Sequence, residues 1–208
     1  MNPFKFDHYE PESQFIWGQM SISPNLDCGG QGVYVDLGCA HPINKSLTHF
    51  CRDFGWRGLA IDGNIDFAPE WLQYGYIHHF VCAVLSDQPT ARFVVHENSF
   101  TSRISDLPEN DHPEKWGIKR IEERSTVSLN HLLDVHDIGK IDLLCCDLEG
   151  HEFEVLKTLD WEKHSPAWVI AEYVTAGEDT DPRLCNFLLE RGYEVVHMTQ
   201  SNLIYRRK

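Results

Sequence analysis

Basic residues are scarce in this chain: 18 lysines and arginines face 32 aspartates and glutamates over 208 residues, a formal net charge of −14. A surface of that sign repels phosphate backbones and anionic lipid, so neither nucleic acid nor a membrane surface is expected as a partner. A nucleotide-like cofactor stays open, because a few local groups suffice to bind one. No run approaches the ~18 apolar residues of a membrane span. The start, MNPFKFDHYEPESQ, has a proline, acids and no apolar core, unlike a signal peptide. No C-x-x-C pair occurs among the seven cysteines, an odd number, so neither a disulfide framework nor a zinc site is expected. Free thiols fit a reducing compartment, and the expected location is the cytoplasm. Repeats and Gly/Ser/Pro-rich linkers are missing too, and the length suits one domain.

What is present is an ordinary globular composition, 42% hydrophobic and 24% charged. Residues 1–31 carry weak signals, ending in Cys28-Gly29-Gly30-Gln31-Gly32, and read as an N-terminal lead-in packed on a domain formed by residues 32–208. The pattern then sharpens. Val33–Leu37 (VYVDL), Gly58–Asp62 (GLAID), His79–Leu85 (HFVCAVL), Ile141–Asp147 (IDLLCCD) and Ala167–Tyr173 (AWVIAEY) read as buried strands, with an extra one over Ala91–Val95. The neighbours Cys145 and Cys146 should point to opposite faces of their strand. His78-His79, at a strand start, reads as solvated. Helices are predicted over Lys45–Phe54, Phe67–Tyr74, Leu129–Val135 behind a Ser128 cap, Glu152–Leu159 and Pro182–Arg191. Residues 97–124, polar and carrying Pro108 and Pro113, read as a long surface loop. Tyr193–Met198 and Leu203–Arg206 form a terminal hairpin. Alternating strands and helices imply a three-layer α/β fold with a mostly parallel sheet, and the hairpin makes one strand antiparallel.

In such sheets ligands bind at the carboxyl ends of the strands, where strand order reverses. The first strand runs into Asp36-Leu37-Gly38-Cys39-Ala40-His41-Pro42. Gly38 and Ala40 let a ligand approach the backbone, although only one glycine of a G-x-G-x-x-G motif is there. The second strand ends in Asp62-Gly63-Asn64. Asp62 follows Gly38 by 24 residues, close to the separation of about 20 at which a carboxylate meets ribose hydroxyls. A helix cap is its alternative role. The strand over residues 141–147 ends in Asp147-Leu148-Glu149-Gly150-His151-Glu152. A charge-rich helix start explains Glu152 and part of Glu149, but not Asp147, which belongs to the strand tip.

Together Tyr34–Pro42 (YVDLGCAHP), Gly55–Asp62 (GWRGLAID) and Ile141–Gly150 (IDLLCCDLEG) resemble the signature blocks of FkbM-type methyltransferases. The likeness continues through Ser13-Gln14, Ala83–Asp87, Thr126–Asp134 and Val155–Trp161, covering roughly residues 13 to 206. It implies a Rossmann-like seven-stranded methyltransferase fold and S-adenosylmethionine as cofactor, with S-adenosylhomocysteine as product. Matched to the family's motifs, Asp36, Gly38, Cys39 and Ala40 face the methionine part of the ligand. Asp62 holds the ribose, with Gly63 and Asn64 beside it; Ala83 and Val84, next to Cys82, border the adenine. Asp147, Leu148, Glu149 and Gly150 lie beside the methyl-transfer centre. Cys39, Ala40-His41 and Cys145-Cys146 depart from the family's commoner residues, and none of these changes removes an acid or a glycine.

The resemblance therefore implies an S-adenosylmethionine-dependent O-methyltransferase acting on a small molecule or glycan. The expected catalytic set is Asp147 or His151 as base, with Glu149 orienting a partner. A divalent metal on Asp147 and Glu149 is an option that two nearby oxygens do not establish. One alternative is a non-catalytic nucleoside-ligand-binding protein of the same fold. Another is an NAD(P)-dependent reductase, against which stand the weak glycine motif, the hairpin and the lack of a Tyr-x-x-x-Lys-like donor. Nothing in the pattern specifies the acceptor or an oligomeric state.

Overall fold

The computed structural model describes residues 9–22, 32–106, 111, 113–173 and 182–208. In chain order the elements are α1 (Pro11–Ile22), β1 (Val33–Leu37), α2 (His49–Asp53), β2 (Arg57–Asp62), α3 (Ala68–Trp71), β3 (His78–Cys82), β4 (Val84–Leu85), β5 (Thr90–His96) and β6 (Arg103–Ile104). Then follow α4 (Pro113–Trp116), β7 (Ile118–Val127), α5 (Leu129–Val135), β8 (Leu143–Cys146), α6 (Glu152–Leu156), β9 (Trp168–Glu172), α7 (Pro182–Glu190), β10 (Tyr193–Met198) and β11 (Asn202–Arg207). None of the described helices is long and apolar enough to cross a membrane.

Seven strands form one sheet in the order β10-β11-β9-β8-β1-β2-β3. All neighbours are parallel except where β11 runs antiparallel between β9 and β10. The seven strands agree with the fold that the family resemblance implies, and the antiparallel hairpin with the sequence pattern. From β1 the chain builds outward through β2 to β3, then returns to add β8 on the other side. Order therefore reverses between β1 and β8, and the crevice there lies at the carboxyl ends of both strands.

The period-two alternation of each strand sorts the two cores. Val33, Val35 and Leu37 of β1 pack with Leu59, Ile61, Cys146 and the apolar stripes of α5, α6 and α7. Tyr34 faces the other way, with Cys145, Ile170, Ile204, Ile16 of α1 and Phe50 of α2. Cys145 and Cys146 thus do lie on opposite faces. Asp36 follows Tyr34 at the same parity, so its carboxylate projects toward α2, where the Thr48 hydroxyl donates to Oδ2 at 2.6 Å.

Several boundaries differ from the sequence reading. The helix expected from Lys45 begins only at His49, because Lys45 sits at φ 58 and residues 41–47 turn instead. The third strand is interrupted at Ala83: β3 ends in the main sheet and β4 joins a second sheet. That four-stranded sheet, in the order β4-β7-β5-β6, takes Arg103–Ile104 and the first part of Ile118–Val127 out of the expected 97–124 loop. Its long strand β7 (IKRIEERSTV) alternates half-buried and exposed positions. Its inner positions are Arg120, Glu122 and Arg124, which ion-pair with one another at 2.6 and 2.9 Å. The alternation is written in charges, so a hydrophobic pattern does not reveal it. α1 was likewise not expected. It is anchored by buried Ile16, by Ser13 Oγ donating to Leu47 O at 2.8 Å, and by Glu12, which accepts from Asn202 Nδ2 at 2.9 Å. Cys28 through Gln31 lie outside the described residues.

Candidate active site

At the switch point β1 and β8 come into direct backbone contact. Asp147 N donates to Leu37 O at 2.9 Å, extending the β1–β8 ladder one residue past the strand. Gly38 then turns away at φ +76, and a Cβ placed on it would lie 1.7 Å from Asp147 O. Only glycine permits this approach. Gly38 and Cys39 both donate their amides to Ile61 O, at 2.9 and 3.2 Å, which ties the first loop to β2.

Two clefts open on either side of this contact, and Gly38 and Asp147 line both. The first, with an empty volume of about 420 Å³ including its open mouth, is walled by Asp62, Gly63, Ala83, Val84, Phe93 and Leu148. His151 and Arg103 also border it. The second, about 880 Å³, is walled by Asp36, Cys39, Ala40, Lys45, Phe100 and Glu149, with Asn98, Thr101 and Ser201 at its polar edge. Together they make one trough along the carboxyl ends of β1, β2 and β8. Of the residues predicted from the sequence, Gly150 lines neither cleft, and nor does Asn64. Asn64 is fully buried, and its Oδ1 accepts from Asp66 N at 3.1 Å and from Arg120 Nη2 at 3.2 Å.

The carboxylates are in unusual states. Asp62 is 8% exposed, and its oxygens accept from Ala40 N at 2.9 Å and Asn64 N at 2.7 Å. Burial pushes its carboxyl up to about 6 in spite of those two amides. Asp36, 3% exposed, is raised to about 6 by the same cause, with Thr48 and the Arg52 charge pulling the other way. Each carboxylate oxygen has a second lone pair, so both residues keep acceptor capacity for a ligand.

Four more acids crowd the β8 and β9 tips. Burial, then the charges of Glu149 and Glu152, hold the Asp147 carboxyl far above the usual carboxylate range. Glu172, ending β9, is pushed up by burial and by Asp147. Like charges this close cannot all ionise, so the group shares protons at neutral pH. Glu152 Oε1 is occupied by the amides of Leu148 and Gly150, at 2.7 and 3.1 Å, which shapes the turn. Glu149 stands in that turn at φ 55 with its Oε2 buried and without a hydrogen-bond partner among the described residues, and burial raises it to about 7 against the pull of Arg103. Burial lowers His151 below the usual imidazole value, so its ring is neutral. Oxygens of Asp147, Glu152 and Glu172 lie within 4.8 Å of one another, a donor set of the kind a hard divalent cation takes. Glu149 is not in that group.

Sequence reasoning missed the wall supplied by the second sheet and its flanks. Phe93, Asn98, Phe100, Thr101 and Arg103 come from the segment read as strand plus loop, and Ser201 from the hairpin turn. The one usable signal was the length of the 97–124 segment. The same sheet braces the ribose-side loop: Arg124 Nη1 donates to Gly63 O at 3.1 Å, and a Cβ on Gly63 would meet the Phe93 ring at 2.5 Å.

The sequence model of the family described as methyltransferase FkbM domain matches residues 36–195, from the first acid of the trough to the terminal hairpin. The chain belongs to this family. The strand ends that carry Asp36, Asp62 and Asp147 fall within the matched span. Among solved structures, a crystal structure of a fibrillarin/Nop5p complex aligns at 10% identity over 94% of this chain and 79% of that one, with a TM-score of 0.48. No curated protein matches this FkbM-domain chain.

Proposed function

We propose that this methyltransferase uses S-adenosylmethionine to methylate a hydroxyl oxygen on a small molecule or glycan. The observation that carries the reading is the trough itself, two clefts joined at Gly38 and Asp147 with Asp36, Asp62 and Glu149 spaced along it. The donor set suits the ligand. Carboxylates favour a sulfonium and an ammonium, Asp62 has lone pairs left for ribose hydroxyls, and the slot between Ala83, Val84, Phe93 and Leu148 is apolar enough for a purine. When bound, the cofactor supplies an electrophilic methyl group.

The chain's own contribution is to bind, orient and deprotonate. Asp36 and the loop of Gly38, Cys39 and Ala40 hold the amino-acid end; Asp62 and Gly63 hold the ribose. For the base we choose Glu149 over Asp147 and His151. Its Oε2 has no hydrogen-bond partner among the described residues, it lines the second cleft, and a value near 7 matches a group that must take a proton at neutral pH. Asp147, crowded by acids, is the poorer proton acceptor while it shares theirs. His151 lines the first cleft and not the second.

Calorimetry with S-adenosylhomocysteine and with NAD(P) tests the assignment. Micromolar binding of the first and none of the second is expected. The reverse would return the chain to the reductase reading. Binding without transfer of a labelled methyl to any acceptor in a hydroxyl panel would favour the non-catalytic one.

A further inference from the structure

One short segment of the second sheet walls both clefts. Asn98, Phe100 and Thr101 line the second cleft, and Ser102, Arg103 and Ile104 line the first. The two halves are held differently. Arg103 and Ile104 are β6 and pair with Val94 and Phe93 of β5, so a ladder fixes the first-cleft side. Asn98, Phe100 and Thr101 belong to the connection from β5 back to β6, which makes a 3-10 turn over Ser99–Thr101. Asn98 N donates to Trp116 O at 3.3 Å where the connection starts. Its far end is tied to His96, the last residue of β5. His96 N donates to Ser102 Oγ at 3.3 Å, and the His96 ring reaches Thr101.

That ring is fully buried. Its Nδ1 lies 2.7 Å from Thr101 O and 3.2 Å from Thr101 Oγ1, and its Nε2 lies 2.9 Å from Asp111 O. A carbonyl oxygen only accepts, so each nitrogen needs a proton to make its bond. The hydroxyl does not relieve Nδ1, because Thr101 Oγ1 donates its own proton to Asn98 O at 2.9 Å. A neutral imidazole has one N–H, and would leave a buried nitrogen lone pair facing a carbonyl lone pair. With two protons both contacts are charge-assisted hydrogen bonds. The surroundings weigh both ways. The Asp111 carboxylate is held by Arg92 at 2.7 and 2.6 Å and by Ser105 Oγ at 2.7 Å; Arg92, Ser105 and the His96 charge keep it below the usual carboxylate range. The Trp116 ring of α4 lies 5.3 Å from the His96 ring and carries Arg103 and Lys115 at 5.1 and 4.7 Å. Arg92, Arg103 and Lys115 oppose an imidazolium. The Asp111 carboxylate and the oxygens that surround the ring favour it.

We propose that His96 is a doubly protonated clasp, donating from both ring nitrogens, and that it positions the acceptor-side wall of Asn98, Phe100 and Thr101. The inference rests on the methyltransferase reading above only in calling that wall the acceptor side. His96 lines neither cleft, so it acts through Thr101 and is a positioning residue. Loss of either ring proton frees Thr101 O or Asp111 O. The turn then loosens from β5, while the β5–β6 ladder keeps the first cleft in place.

The test begins with nuclear magnetic resonance of the full chain, labelled with nitrogen-15 and with His96 assigned through its backbone. At neutral pH both ring nitrogens of His96 should show protonated shifts, with two slowly exchanging ring N–H signals. A single ring N–H, in either tautomer, overturns the proposal. Positioning is read from amide exchange. Thr101 N donates to Asn98 O at 3.1 Å and Ser102 N to Ser99 O at 3.4 Å, inside the turn; Ser105 N donates to Arg92 O at 3.0 Å, beyond β6. His96→Gln replaces two ring donors by one amide nitrogen. It should speed exchange at Thr101 and Ser102 by roughly tenfold or more, with Ser105 and the affinity for S-adenosylhomocysteine changed less than about threefold. Equal acceleration at all three amides, or none, overturns the positioning role. Should the variant fail to fold, the three amides are compared in the parent above the pH at which its spectrum loses one His96 ring proton. Thr101 and Ser102 should again gain on Ser105, and a constant ratio overturns the role. Failure of the parent to bind S-adenosylhomocysteine at all is a separate result: it rejects the cofactor reading, and the signals of His96 do not depend on it.

Discussion

The amide of Ala40 donates to Asp62 Oδ2 at 2.9 Å, so the carboxylate that ends β2 also holds the loop that follows β1. Asn64 N occupies the other oxygen at 2.7 Å. Cap and ligand-binder, posed as alternatives by the sequence, are compatible in one side chain. Asp62→Ala is therefore expected to act twice. It orphans two backbone donors, at about 1–3 kcal/mol each where they are buried, which a denaturant titration reads. It also removes the ribose acceptor, and S-adenosylhomocysteine affinity should fall tenfold or more. A stability loss with an unchanged dissociation constant would leave Asp62 as a brace alone.

Gly38→Ala should be far worse than a glycine replacement with open space around it. The new Cβ would lie 1.7 Å from the Asp147 carbonyl oxygen, so β1 and β8 would have to separate at the point where both clefts meet. Gly55 provides the control. It has the same φ of +76 with nothing within 4 Å of the added carbon, so Gly55→Ala should lose only the conformational term of about 1 kcal/mol. Equal destabilisation of the two variants would show that the close approach is not felt.

The difference between legible and hidden features runs through these same residues. Asp36, Gly38, Asp62 and Asp147 are readable because an apolar strand that ends in an acid or glycine announces a strand tip, and α/β sheets put ligands at strand tips. Lys45, Phe100, Thr101 and Ser201 were not readable, because they reach the trough through chain reversals whose geometry no periodicity encodes. Strand β7 hid for a different reason. Arg120, Glu122 and Arg124 do alternate with exposed residues, but their partners include one another, Asp66, Asn64 and the Gly63 carbonyl, so burial here follows charge pairing. α1 lacks an apolar stripe, being fixed by Ile16 and two polar anchors.

Cofactor affinity should depend on pH through Asp36 and Asp62, both raised by burial to about 6. Below that value the free protein holds protons that a cationic ligand must displace. S-adenosylmethionine binding should tighten as pH rises from 5 to 7, level off above, and release protons near pH 6. The sign for stability is opposite. The folded pKa lies above the unfolded value of about 3.9, so the folded state retains protons that the unfolded chain has lost. The cofactor-free protein should accordingly lose stability from these two groups as pH rises from about 4 to 6. Thr48→Val removes the hydroxyl that favours ionised Asp36 and should move the break in affinity to higher pH. A flat affinity profile measured by calorimetry would detach both acids from the ligand.

Glu149→Gln should separate binding from chemistry. The amide keeps the shape of the side chain and loses the base, so turnover is expected to fall by ~10²-fold or more while S-adenosylhomocysteine affinity changes less than about threefold. In the parent, the rate should climb as pH rises through about 7, where Glu149 becomes ionised. That limb should be missing from the residual rate of the variant. An intact limb in Glu149→Gln would hand the proton to another group, with Asp147 first in line.

Asp147 tests how the trough handles charge. Its carboxyl is crowded by Glu149 and Glu152, with Glu172 also nearby, and it is held far above the ordinary range, so in the free protein it behaves as a neutral acid. Asp147→Asn is then nearly isosteric and isoelectric, and the melting temperature of the free protein at pH 7 should change little. Ligand binding is another matter. A sulfonium next to Asp147 draws the proton off, and the resulting ion pair exists only with the natural residue. S-adenosylmethionine has that charge and S-adenosylhomocysteine lacks it. The asparagine variant should therefore lose roughly tenfold in affinity for the first and less than about threefold for the second. Equal losses for both would place Asp147 against the ammonium, which the two ligands share. Chelator should leave the parent's constants unchanged, because shared protons suffice to hold Asp147, Glu152 and Glu172 together; a chelator-sensitive parent would mean that the three acids hold a cation. If neither constant moves in the variant, Asp147 is a structural residue, and the charge recognised in the trough belongs to Asp36.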